Sequence, residues 1–152
     1  MPSNHFLNSI NSYVALFLSL LAISLLGCSP QSGLPQGGPS SESDKILQSA
    51  FEQRARNLKV EGRGAVKQIL PDDNEGSRHQ RFILQLNSGQ TVLISHNIDI
   101  APRLLDLREG NEVSFRGVYE WNPEGGVIHW THHDPAGRHP GGWLKHKGTM
   151  YQ

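Results

Sequence analysis

Cysteine is almost missing from this chain: Cys28 stands alone among 152 residues, so no intramolecular disulfide can staple the fold. An excess of charge of either sign is missing too. Fourteen Lys and Arg balance fourteen Asp and Glu, which argues against the strong positive field of a general nucleic-acid binder. There is no His-Glu-x-x-His segment and no second cysteine, so the usual zinc motifs are excluded. No internal repeat is visible. Residues 13–27 are apolar and uncharged, but as a helix they would cover only roughly 22 Å, short of a ~30 Å hydrocarbon core.

That N-terminal stretch has the length and position of a signal-peptide core rather than a permanent span. Leu25-Leu26-Gly27-Cys28 resembles the bacterial lipobox, in which a small residue precedes a cysteine that is acylated and becomes the new N-terminus. The resemblance implies a signal peptide over residues 1–27, lipidation at Cys28 and attachment of the mature protein to a membrane. An uncleaved N-terminal anchor is the alternative, and both readings export the domain. Ser29, by resemblance to lipoprotein sorting, implies the outer membrane, facing the periplasm. Residues 28–43 are rich in Ser, Pro, Gly and Gln. Such a segment cannot offset its ordering entropy by burial and is expected to be a flexible tether.

Residues 44–152 remain for one domain. A helix is predicted over 44–58, with Ser41 and Asp44 at capping-box spacing and Ile46, Leu47, Ala50, Phe51 and Leu58 on one face. From Val60 the period becomes two. Val60, Gly62, Gly64 and Val66, then Phe82, Leu84 and Leu86, then Val113, Phe115 and Tyr119 each alternate with polar residues. Asn87-Ser88-Gly89 turns the second strand into a third at Thr91–Ser95. Asp99 and Pro102 predict the cap and first turn of a short helix over 99–106. A fifth strand is predicted over Val127–His133. Phe82, Leu84, Val92, Val113, Phe115 and Trp130 are the expected core.

The order strand, strand, strand, short helix, strand, strand matches the OB-fold, a five-stranded Greek-key barrel. Leu107-Arg108-Glu109-Gly110-Asn111-Glu112-Val113 through Gly117 resembles the entry to its fourth strand. The fold expected is therefore mainly β: a small five-stranded OB-like barrel, a short helix between strands three and four, and an N-terminal helix. An SH3-like barrel is the alternative.

Histidine is abundant. Eight are present, five of them between 129 and 146. The segment His129-Trp130-Thr131-His132-His133-Asp134-Pro135, with Gly142-Trp143 beyond it, resembles the ending of a functionally uncharacterised family of short bacterial exported proteins, which lends no activity. On a continuous strand His129, Thr131 and His133 would share the outer face, and Trp130, His132 and Asp134 the core side. His129 and His133, with His139 and His146 swung in by glycine loops, are then candidate ligands for zinc or another divalent transition metal such as copper or nickel. Ordinary structural hydrogen bonding and direct ligand contact are the competing roles. Trp130, His132, Asp134, Arg138, Trp143 and Tyr151 are candidate ligand-binding residues, the aromatics by stacking on a sugar or base. Trp143–Tyr151 is predicted as a hairpin turning at Lys147-Gly148. Asp134 beside His132 or His133 could form an acid–base pair, with Arg103 or Arg138 on a phosphate.

The functional expectation is a membrane-tethered ligand-binding module, with envelope glycan the preferred partner, single-stranded nucleic acid the next and a protein partner the third. The alternative is a metal-dependent hydrolase or nuclease.

Overall fold

The computed structural model describes residues 41–137 and 141–152. The leader, Cys28 and most of the tether lie outside the described residues, as do Arg138 and His139.

The first element is the helix α1 (Glu42–Glu52). Ser41 is its N-cap: its Oγ accepts from the Asp44 N–H at 3.3 Å and donates to Asp44 Oδ1 at 2.8 Å. The buried Asp44 also accepts the Ser88 N–H at 3.0 Å, which ties the start of the helix to a distant turn. Leu47 and Ala50 face the core, whereas Ile46 is exposed. The helix stops well before residue 58 because its end meets Trp121. Phe51 stacks on that indole, the Arg54 guanidinium sits over it at 5.1 Å, and the Trp121 N–H donates to Ala55 O. Arg54 and Asn57 take left-handed φ, and Leu58 is already in a strand.

Seven strands follow: β1 (Leu58–Asp73), β2 (His79–Gln85), β3 (Thr91–Asn97), β4 (Glu112–Glu120), β5 (Val127–His129), β6 (Trp143–His146) and β7 (Thr149–Tyr151). β1 is shared by two partners. Its first half pairs antiparallel with β4, from Leu58↔Tyr119 to Ala65↔Glu112, and its second half with β2, from Ala65↔Gln85 to Asp73↔His79. β5 lies parallel to β3 and antiparallel to β4. The order β1-β2-β3-β5-β4 therefore closes on itself through β1–β4, and the β6–β7 hairpin continues from β4. The fold is mainly β, a seven-strand mixed sheet containing a five-strand ring, with one N-terminal helix.

The core lies inside the ring. Phe82, Leu84, Val92, Val113 and Phe115 are buried together on the inward phase of their strands, joined by Tyr119, Ile128 and Leu144. Gly62 is inward because a Cβ there would stand 2.8 Å from the Phe115 ring. The turn at Lys147 (φ 48°) and Gly148 (φ 82°) closes the last hairpin as the dipeptide predicts.

Three further expectations change. The short helix over 99–106 does not form; the chain runs through turns there. Its proposed cap is engaged elsewhere, since the Asp99 carboxylate accepts both the N–H and Nε of Arg78 at 2.8 and 2.7 Å. The backbone polar groups that a helix would satisfy are taken by buried side chains. Gln80 brackets Leu104, accepting its N–H at 2.9 Å and donating to its carbonyl at 3.1 Å, and His96 Nε2 donates to Pro102 O at 3.0 Å. Second, the fifth strand ends at His129, because Trp130 adopts φ +53°. Third, that break leaves Trp130 half-buried and outside the core.

Candidate functional site

A left-handed residue resets which side each following side chain faces. After Trp130, Thr131 turns inward and is fully buried, where continued alternation would place it with His129 and His133 on the outside. Its Oγ1 meets His96 Nδ1 at 2.9 Å. The opposite ring nitrogen of His96 must be the N–H, because its partner is the Pro102 carbonyl. In the neutral ring Nδ1 is then the acceptor and the threonine hydroxyl the donor. Burial pushes the His96 imidazole down to about 4, so this arrangement is uncharged at neutral pH. His96 thus pins the segment after β5 to the loop after β3.

The rest of the His-rich segment is held as tightly. His132 and Asp134 are buried and His133 is exposed. Asp134 Oδ1 accepts the Ala136 N–H at 2.9 Å, and the Asp134 carbonyl accepts the Gly137 N–H at 3.0 Å, so Asp134 opens a turn. The Gly142 N–H returns to His132 O at 2.9 Å. Gly142 lies so close to the carbonyls of Trp130 and Arg116 that no side chain fits there.

These constraints shape a cavity of about 340 Å³ where β3 and β5 end and β2 begins, lined chiefly by His79, Asn97, His129, Trp130, His132 and Asp134. Trp130 stands between two imidazoles, 6.1 Å from His129 and 5.6 Å from His132 between ring centroids. His79 Nδ1 lies 2.7 Å from Ser77 O, and His132 Nδ1 lies 2.7 Å from His133 O. A carbonyl can only accept, so both Nδ1 atoms donate. In the neutral rings both Nε2 atoms are therefore lone-pair acceptors. No Lys or Arg is among the described residues that line the cavity. Arg103 pairs with Asp72 and Arg78 with Asp99.

The candidates named from the sequence divide accordingly. Trp130, His132 and Asp134 come together, and His129 joins them. His133 points elsewhere, with Gly141 beside its ring. Trp143 and Tyr151 are half-buried on the β6–β7 hairpin, Tyr151 against the core. His146 does not swing in. It is buried in the hairpin, its Nε2 donates to Asn111 Oδ1 at 3.0 Å, and burial lowers its pKa. Among the described residues no three His, Cys, Asp or Glu side chains stand at metal-holding spacing, and the proposed third ligand, His139, lies outside them. No site role was assigned from the sequence to His79, Gln80, His96 or Asn97. A signal for His96 was present: it continues the inward phase of Val92 and Ile94.

No curated protein matches the chain. A family model does match, and it spans α1, all seven strands and the His-rich segment. The chain belongs to the family described as Protein of unknown function (DUF3465), whose model matches residues 35–152.

Proposed function

We propose that this chain is an exported lipoprotein, anchored through Cys28, whose OB-like domain binds an uncharged unit of an envelope glycan in the cavity at Trp130. The order β1-β2-β3-β5-β4, with β1 shared and β3 parallel to β5, supports an OB-like barrel. The observation that carries the ligand class is the make-up of the cavity. A half-buried indole offers a stacking surface, and two imidazole Nε2 acceptors and the Asn97 amide line the same space. Sugar hydroxyls are donors that suit imidazole acceptors, and the C–H face of a pyranose suits Trp. The volume, about 340 Å³, lies at the small end of the usual range for ligand sites. A hydrolase or nuclease reading has less support, because no cation among the described lining residues is placed to hold a phosphate.

The test is titration of the full-length protein with a neutral N-acetylhexosamine oligosaccharide, followed by tryptophan fluorescence and calorimetry. Saturable binding is expected, weakened about tenfold by Trp130→Ala and about fivefold by His132→Ala through the lost stack and hydrogen bond. Absence of binding, or binding indifferent to both changes, overturns the reading.

A further inference from the structure

The chain is neutral overall, but its charges are not evenly placed. On β1 the exposed residues include Lys59, Glu61 and Arg63, on β4 Glu112 and Arg116, and on β6 Lys145. Strand register puts them in rows. Arg63, Ser114 and Lys145 stand side by side across three strands, and Glu61, Arg116 and Trp143 form the next row. Directly opposed residues project from the same face of a sheet. These rows therefore share the exterior of the ring, with the half-buried Trp143 among them. A depression of about 400 Å³ opens beside them, lined by Ser114, Lys145 and Lys147 together with Asn111, Glu112 and His146. The ion pairs among the described residues are Lys45–Glu42, Arg78–Asp99 and Arg103–Asp72. None involves this face, and its cations Lys59, Arg63, Arg116, Lys145 and Lys147 outnumber Glu61 and Glu112.

We infer that this face docks on a membrane surface of anionic phospholipid, with Trp143 at headgroup level and the depression at Lys145 and Lys147 receiving a headgroup phosphate. Shape favours a membrane over a nucleic-acid strand. The exterior of a closed ring is convex and meets a plane, whereas strand binders track the backbone in a groove. Chemistry points the same way: basic side chains are drawn to anionic headgroups, and indoles prefer the membrane interface. The inference is independent of the glycan reading, because the cavity at Trp130 is lined by different residues.

The test uses the full-length protein with vesicles of phosphatidylcholine alone or with added phosphatidylglycerol. Both kinds offer the same apolar interior to the N-terminal residues, so only surface charge differs. Lysines are acylated with a water-soluble reagent and quantified by mass spectrometry. Protection of Lys59, Lys145 and Lys147 is expected with phosphatidylglycerol only, reversed by high salt, while Lys45 on α1 labels equally in both. Arg63→Gln and Arg116→Gln, both at exposed positions, should each weaken the protection about fivefold. Equal labelling of the three lysines in both vesicles overturns the inference. So does equal protection of Lys45, or protection by a single-stranded oligonucleotide but not by vesicles.

Discussion

Lowering the pH from about 6.5 to about 4 tests the buried His96 directly. Burial holds this ring neutral, with its pKa pushed down to about 4, and positive charge on nearby His132 and His79 acts in the same direction. In the unfolded chain the ring titrates at about 6.5. Above that value both states carry a neutral ring and His96 contributes no pH dependence. Below it the unfolded chain takes up a proton that the folded protein refuses, so stability falls as the pH falls, until the folded ring also titrates near 4. Across that window the loss from this one group is about 3 kcal/mol, at a slope approaching ~1.4 kcal/mol per pH unit. Protonation would not break the contact with Thr131, since a hydroxyl can turn to accept. The cost is the buried charge itself. The assay is urea unfolding at a series of pH values for the native protein and for His96→Gln, which keeps a neutral polar side chain. The variant should be less stable at pH 7 yet flatter between 6.5 and 4. Parallel profiles for the two proteins would refute the reasoning, as would a folded-state His96 resonance that titrates near 6.5.

Two other changes probe the anchor and the loop. Cys28→Ser should abolish incorporation of labelled fatty acid and leave the unprocessed chain to accumulate; unchanged labelling sinks the lipoprotein reading. Gly142→Ala places a methyl group against the carbonyls of Trp130 and Arg116, backbone that cannot yield. It should cost on the order of 2 kcal/mol and weaken oligosaccharide binding; an unchanged denaturation midpoint would show that the loop is not held as described.

The strands were legible wherever one face alone is buried. Phe82 and Leu84 on β2, Leu86 just beyond its end, and Val113 and Phe115 on β4 alternate cleanly with polar residues and are buried as their phase predicts. β1 was legible only to Val66, because beyond it bulges at Val66/Gln68 and Leu70/Asp73 disrupt the period and Ile69 faces solvent. The helix end and the loop at 99–106 were misread for one reason. Local signals there are overridden by partners far away in sequence: Trp121 under Phe51 and Arg54, Arg78 on Asp99, and Gln80 on Leu104. A capping residue is a preference for some hydrogen bond to its carboxylate, not for a particular donor.

The site was legible in composition but not in geometry, and Trp130 is the reason. Nothing in its neighbours marks it for a left-handed backbone, which a bulky aromatic side chain adopts rarely and at a cost of order 1–3 kcal/mol. The compensation comes from residues that are far apart along the chain. Thr131 is drawn inward to His96, and His132 O accepts the Gly142 N–H just before β6 pairs with β4. Had alternation continued, Trp130 would have joined the core and His129 and His133 would have shared an outer face, the arrangement on which the metal reading depended. With the break, Trp130 stands between His129 and His132 at a cavity wall and His133 is turned away. The single positive φ thus converts a row of histidines on one strand into a pocket, and the distant contacts that hold it, His96 and Gly142 above all, belong to the site although neither is counted among the residues that line the cavity.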